Sequence, residues 1–297
     1  MLAAMVAEVC RPSGSPRQGL EPRLLRRAGL RPRWPAISSQ VEPGCWSSLW
    51  PAAVSAADAV WLVAPETDGQ LASLARAVES AGTRLLGPSA SAIAVAASKT
   101  DCHRALAGRV RQPDDLPAAA GWVVKPDDGV AAAWVRRLPV GPRPRASSAS
   151  LVQPFVEGVP LSLCVLSDGV DARVLSVNRQ HIHWDASGVA SYRGGVTNVR
   201  ADRDRFAALA QAVQISIPGL WGCWGIDLVL PYDDDPVLIE VNPRLTTAFV
   251  ALHAATGVDL LGALLMLAEG RSIEAVALAP AGRAVAFTLD STLEVEM

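Results

Sequence analysis

Lysine is nearly missing from this chain. Of its 27 lysines and arginines, only Lys99 and Lys125 are lysine. The two residue types serve almost equally as solubilising charge, yet a planar guanidinium cannot replace a compact ammonium that must meet one particular oxygen. Lysines that survive so strong an arginine bias point to constrained positions, chance survival being the alternative.

Other absences narrow the function classes. The cysteines Cys10, Cys45, Cys102, Cys164 and Cys223 are odd in number, widely spaced and never arranged as C-x-x-C, which argues against a disulfide framework and makes the cytoplasm the expected location. No apolar run approaches the roughly 18 to 20 residues of a spanning helix, so no membrane partner is expected. The formal net charge of −2 recruits neither nucleic acid nor an anionic membrane. Basic residues crowd between Arg11 and Arg33, but Pro and Gly interrupt them and no aromatic ladder is interleaved. The chain lacks G-x-G-x-x-G, G-x-S-x-G and GKS or GKT, so dinucleotide binding, serine hydrolysis and P-loop chemistry have nothing to stand on. The opening MLAAMVAEVC carries Glu8 inside it and is too short for a secretory signal; it reads as a helix entered midway, with a first strand missing or the N-terminal domain abbreviated.

What is present begins with strand–helix alternation. DAVWLVAPETDG leads from an apolar strand through a turn into a helix with Leu71, Leu74, Ala75 and Val78 on one face, and TRLLG then runs through Gly87-Pro88-Ser89 into an Ala-rich helix running into Lys99. That order implies a parallel sheet. From Trp122 the pattern becomes antiparallel: WVVKP, a Pro/Ser-rich loop, LVQPFVEG, then LSLCVLSDG and ARVLSVNRQHIHWD joined through Asp168-Gly169. A helix with Phe206, Leu209 and Val213 follows, then the hairpin GIDLVLPYDDDPVLIEVNPR, and helices including DLLGALLMLAEG are expected to close the chain.

The hairpin carries the chemistry. Period two sets Glu240 and Asn242 on one face and turns Val241 into the core. Pairing the strands brings Asp227 beside Glu240, and two carboxylates with an amide oxygen are costly to bury unless a cation neutralises them. Oxygen donors of this kind suit Mg²⁺ or Mn²⁺. The plainer alternative has Asp227 capping a turn and Glu240 paired with Arg244. The lysines then acquire a purpose, because phosphates need point charges beyond the metal. LVQPFVEG offers a purine slot, with backbone groups for the base edge and Phe155 and Val156 covering its face, the plainer account being an apolar strand that ends in Glu-Gly.

Taken in order, SK at 98–99, VVKP at 123–126, QPFVEG at 153–158, GIDLVL at 225–230 and IEVNPR at 239–244 resemble the ATP-grasp superfamily of carboxylate–amine ligases, from about Lys99 to Arg271. The resemblance implies an α/β (α+β) ATP-grasp fold. A Rossmann-like pre-ATP-grasp domain would occupy 1–97, a small lid 98–157, and a C-terminal subdomain with the metal hairpin 158–297, the last two clamping ATP. By this resemblance Lys99 and Lys125 would contact ATP phosphates, and Gln153, Pro154, Phe155 and Val156 the adenine, with Glu157 the carboxylate nearest the ribose. Asp227, Glu240 and Asn242 would hold two divalent ions, and Arg244 would steady a phosphate or acylphosphate, making Arg244 and Lys125 the catalytic pair. VAPE, LLGPS, VNRQ and YRGG at 192–195 look most similar to the tyramine–glutamate ligase branch of methanofuran biosynthesis.

Three departures stand out. The loop after Lys125, DDGVAAAW, is poor in glycine; Gly225 stands where many relatives carry arginine; and Val159-Pro160 replaces an expected ribose carboxylate. For the acid substrate, Asn178, Arg179 and Gln180, with Arg193 and Gly194, are candidates, the alternative being a polar face toward solvent. His181 and His183 share a strand face as a potential zinc pair, with half-buried strand histidines the plainer account. The expected activity is ATP-dependent amide formation through an acylphosphate, with small acid and amine partners and a homodimer suggested by the Ala/Leu-rich surface. The rival is a module that senses ATP without ligating anything.

Overall fold

The computed structural model describes residues 19–27, 38–42, 44–129, 132–277 and 282–289. The helix expected in the opening decapeptide and most of the basic Arg11–Arg33 stretch lie outside the described residues.

The N-terminal unit is parallel, as strand–helix alternation requires. Strands β1 (Leu24–Arg27) and β2 (Ser38–Val41) pair in parallel, helix α1 (Trp46–Ser55) follows, and β3 (Ala59–Val60) pairs in parallel with β4 (Arg84–Leu85). Between them α2 (Gln70–Ser80) buries Leu71, Ala72, Ala75 and Val78, a stripe at helical spacing that packs on Ala90 and Ile93 of α3 (Ala90–Ala97). The expected Ala-rich helix does not run on into Lys99. Ser98 is extended and its hydroxyl accepts from Asp101 N–H at 3.1 Å, so a new helix, α4 (Lys99–Leu106), starts at the lysine itself.

The next unit is a three-stranded antiparallel sheet in the order β6–β5–β7, from β5 (Trp122–Pro126), β6 (Arg136–Leu138) and β7 (Ser150–Pro154). Thereafter β8 (Val159–Ser167), β9 (Ala172–Trp184), β10 (Ala190–Thr197), α5 (Ala207–Ser216), β11 (Gly222–Leu230), β12 (Val237–Asn242), α6 (Phe249–Thr256), α7 (Leu260–Ala268) and β13 (Val285–Thr288) complete the described chain. The sheet order is β12–β11–β8–β9–β10–β13, antiparallel throughout. Helices were expected to end the chain. Instead VAFT returns as an edge strand on β10, a segment too short for its period-two pattern to stand out in sequence.

This sheet positions the site. One face carries Leu163, Val165, Trp224, Ile226 and Val241 against Phe206, Ala210 and Val213, with Leu106 of α4 in the same core. On the other face Cys164, Leu166, Leu175 and Cys223 pack under Leu252, Leu260 and Leu264 of α6 and α7. Farther along that second face the register aligns Asp227, Ser162 and Asn178 across three strands, so an apolar core gives way to a polar row. No single helix among the described residues is long and apolar enough to cross a membrane.

Candidate active site

The hairpin register places Asp227 opposite Glu240 and Gly225 opposite Asn242. Val241 between them is 1% exposed on the apolar face, as period two requires. Burial first, and then the charge of Glu240, push the Asp227 carboxyl up to about 7, against hydrogen bonds from Asn242 and Gln180 and the charge of Arg244. Gln180 Nε2 donates to Asp227 Oδ1 at 3.0 Å. The alternative pairing of Glu240 with Arg244 is not formed. Glu240 lies 3.3 Å from Lys99 Nζ, and Arg244 is held by Glu66 of the N-terminal unit. No group of three His, Cys, Asp or Glu side chains with metal-site geometry occurs among the described residues. The hairpin offers two carboxylates and one amide oxygen, a hard, all-oxygen donor set, with a lysine ammonium standing where cationic charge is demanded.

Both lysines reach strand β12, from different elements. Lys99 opens α4 and donates to the Gly129 carbonyl at 2.8 Å besides facing Glu240. A cation in the first turn opposes the helix dipole. Asp127 offsets this, its carboxylate accepting Thr100 N–H at 2.7 Å and Ser98 Oγ–H at 2.8 Å. Lys125, 5% exposed, extends from β5 to donate to the Ile239 carbonyl at 3.0 Å, one residue before Glu240. Burial lowers its pKa, with the charge of Glu240 pulling the other way.

Gln153 lies on β7 across from Val123 and is 4% exposed. With Lys99, Cys102, Leu151, Ile239 and Glu240 it lines a narrow cavity between the small sheet, α4 and β12. Its Nε2 donates to Asp114 Oδ2 at 2.9 Å and lies 3.4 Å from His103 Nδ1. Asp114 also accepts from Arg143 at 3.1 Å. A carboxylate only accepts, so it fixes the Gln153 amide with NH₂ toward Asp114 and the oxygen turned the other way. Pro154 ends β7 and is buried, whereas Phe155 stacks edge-on against Trp184 at 5.6 Å beneath the Arg137 guanidinium, 3.9 Å from the ring centroid. Val156 is half-buried; Glu157 is exposed, 3.9 Å from Arg137.

The substrate candidates divide by face. Asn178 is 1% exposed and structural, donating to Ser162 Oγ at 3.4 Å and accepting from Asn198 N–H at 3.1 Å. Gln180 serves Asp227. Arg179 between them is exposed on the opposite face, because successive strand residues alternate, so an arginine flanked by two cooperating amides is not what forms. His181 and His183 share that outer face and are exposed rather than half-buried. Arg193 and Gly194 form a bulge in β10 between the pairs Tyr192–Ile182 and Gly195–Gln180, with Arg193 exposed. Gly194 has φ +112°, and a Cβ there would stand 2.3 Å from the Phe287 carbonyl, so its glycine serves the bulge and the β13 edge.

Four participants were not foreseen. Glu66 sits in a loop and closes the VAPE string already noted for its resemblance, but nothing local says that its carboxylate is buried against Arg244. Asp114 and His103 lie 39 and 50 residues from Gln153, a distance no local pattern spans. The Tyr192 hydroxyl is pushed up by burial and then by the charge of Asp227, so it feels the same carboxylate. Its YRGG string is the local signal for this tyrosine. Gly225 has a physical explanation: a Cβ there would meet Thr246 Cγ2 at 2.2 Å, so threonine fills the space an arginine stem would need.

An ATP-grasp clamp is the class of molecule that these two sheets define, joined by the lysine contacts to β12 and with the polar row on the larger sheet. A family model of the ATP-grasp domain matches residues 96–248, and one of the pre ATP-grasp 3 domain matches residues 23–93. The chain belongs to the ATP-grasp family. It is 31% identical over 198 residues to the tyramine–L-glutamate ligase of Methanocaldococcus jannaschii, an alignment covering 66% of this chain and 58% of that one. This chain therefore spans less than two thirds of the length of that relative. Among solved structures, an ATP-grasp superfamily protein from Archaeoglobus fulgidus aligns with a TM-score of 0.63 and 26% identity, over 88% of this chain and 85% of that chain. The L-amino acid ligase of Bacillus licheniformis shares the fold at a TM-score of 0.54 and 16% identity, over 70% of this chain and 57% of that chain.

Proposed function

We propose that this chain is an ATP-dependent carboxylate–amine ligase. A carboxylate oxygen of the acid attacks the γ-phosphorus of ATP, the bond to the β,γ-bridging oxygen breaks, and ADP leaves with that electron pair. The amine nitrogen then attacks the acyl carbon, inorganic phosphate departs, and the nitrogen loses a proton to give the amide. The single observation that carries this reading is the convergence on β12: Glu240 faces Asp227, Lys99 faces Glu240, and Lys125 binds the Ile239 carbonyl.

Residues 98–157 act as the lid and 158–297 as the base of the clamp, with the N-terminal unit supplying the rear wall. Asp227, Glu240 and Asn242 would hold Mg²⁺ or Mn²⁺, which when bound neutralises the triphosphate oxygens. Lys99 and Lys125 meet phosphate oxygens as point charges, and Arg244 donates to the transferring phosphoryl group. Gln153 presents an acceptor to the adenine edge, beside Phe155 and Val156. No side-chain nucleophile is needed, because phosphoryl transfer is catalysed by positioning and charge neutralisation. The likeness to tyramine–L-glutamate ligases supports glutamate as the acid and an aryl-ethylamine as the acceptor.

A coupled ADP-release assay with glutamate and a panel of aryl-ethylamines tests the proposal. Amine-dependent ADP production that disappears in Glu240→Gln is the expected result. Tight ATP binding with no amine-dependent turnover across the panel would replace the ligase with an ATP sensor.

A further inference from the structure

Glu66 is 3% exposed and its carboxylate is committed to one partner. Its Oε1 accepts from Arg244 Nη2 at 3.0 Å and its Oε2 accepts from Arg244 Nε, a side-on fork between the N-terminal unit and the end of the metal hairpin. Arg244 Nη1 donates to the Leu245 carbonyl at 3.1 Å. A guanidinium has five N–H donors. Three are consumed here, so one hydrogen on each terminal nitrogen remains for a ligand.

We infer that Glu66 is a positioning residue that turns Arg244 from a free positive charge into a fixed, charge-compensated pair of donors for the transferring phosphoryl group. The inference rests on the ligase reading and adds the N-terminal unit to its machinery. One general fact and two features of the structure support it. A buried ion pair is weak evidence of stabilisation, since desolvation offsets much of the attraction. The interface has other adhesive, in the apolar cleft of Trp61, Leu62, Pro88 and Pro243 that Arg244 also borders. The fork also leaves the guanidinium short of rotational freedom, which is what transition-state donors need, as they act without reorganising.

Glu66→Gln makes two effects diverge. An uncompensated guanidinium attracts anions more strongly but is held less firmly. Expected are ATP binding that is several-fold tighter at low salt, an advantage erased at 0.5 M KCl or above, and a kcat about a hundredfold lower, the scale of losing one preorganised donor. Glu66→Asp recovers part of kcat. In an Arg244→Gln background Glu66→Gln costs nothing further, because Glu66 acts only through Arg244. A Glu66→Gln variant with kcat and ATP affinity within twofold of the parent overturns the proposal, as does an additive loss in the double variant. If Glu66→Gln fails to fold, the double variant, which leaves no uncompensated buried charge, is compared with Arg244→Gln alone: an equal kcat sustains the proposal and a further loss overturns it. If the parent releases no ADP with any amine, the ligase reading fails, and the pair is still judged by ATP affinity: unchanged affinity and salt dependence in Glu66→Gln sink it, tighter salt-sensitive binding sustains it.

Discussion

Lys125 Nζ and the carbonyl oxygen of Ile239 are 3.0 Å apart, and they join the small sheet to the strand that carries Glu240. A main-chain acceptor recessed beside a carboxylate suits an ammonium on a slender stem. A guanidinium is wider, and its fork would find a second partner only by moving β12. Lys125→Arg is therefore expected to weaken ATP binding despite keeping the charge. Lys125→Met removes the charge itself and with it the proposed charge-assisted bond to phosphate, worth about 1.5–3 kcal/mol, or about tenfold to a hundredfold in Kd. Calorimetric titration with ATP and Mg²⁺ checks both. Unchanged affinity in Lys125→Arg would show that the arginine bias left this lysine behind by chance.

How much of this was legible in the sequence depends on the range of the contact involved. Asp227, Glu240 and Asn242 were readable because period-two alternation and one short connection fix their relative placement. Lys99 and Lys125 were readable because composition made them conspicuous. Glu66 with Arg244 and Asp114 with Gln153 were not, since each pair joins separate units 178 and 39 residues apart in the chain. Arg179 shows the opposite failure. Its neighbours in sequence are polar, but strand geometry sends it to the far face, so adjacency in the chain is not adjacency in space.

Asp227 gives the pH dependence a sign. Its carboxyl sits near 7 in the metal-free protein, raised from 3.8 by burial and then by Glu240. Between these values the folded state holds a proton that the unfolded state has lost, so metal-free stability should fall as pH rises through that window. A divalent ion must displace the same proton. Mn²⁺ affinity should accordingly rise from pH 6 to pH 8 and level off above, with proton release near pH 6 detected by titration in buffers of different ionisation enthalpy. Asp227→Asn should abolish the release. Gln180→Ala, which strips the 3.0 Å donor from Asp227, should lower Mn²⁺ affinity by about 10–100-fold, the usual cost of an outer partner. A Gln180→Ala protein that binds Mn²⁺ normally would show that this amide does not orient the carboxylate.

The Asp114–Gln153 contact bears on base choice. Asp114 accepts from Gln153 at 2.9 Å and from Arg143 at 3.1 Å, which keeps the Gln153 oxygen directed away from Asp114. An oxygen acceptor at the purine edge suits the exocyclic amine of adenine and repels the carbonyl of guanine. An unpaired polar group costs about 1–3 kcal/mol. Asp114→Ala frees the amide to flip and present its NH₂, so the ratio of ATP to GTP affinity should narrow by about tenfold or more. Competition of both nucleotides against a fluorescent ATP analogue measures it. A ratio left intact would place base selection on the main chain alone.

Gly225 and Thr246 make a steric pair that stability measurements can resolve. A Cβ at 225 would lie 2.2 Å from Thr246 Cγ2 and 3.2 Å from the Leu163 carbonyl, inside a sheet that has little room to yield. Gly225→Ala should therefore destabilise by about 1–3 kcal/mol, the cost of overpacking. Thr246→Ser removes the obstructing methyl and keeps the hydroxyl that meets Cys164 Sγ at 3.6 Å. Alone it costs about 0.8 kcal/mol, one buried carbon. If the clash with that methyl is the cause, the double variant should be more stable than Gly225→Ala, because the alanine occupies the vacated volume. Urea unfolding, with the midpoint compared at constant m, measures all four proteins. An equal penalty for Gly225→Ala in both backgrounds would assign the glycine to the Leu163 backbone instead, and the space denied to an arginine stem would then be set by the sheet and not by Thr246.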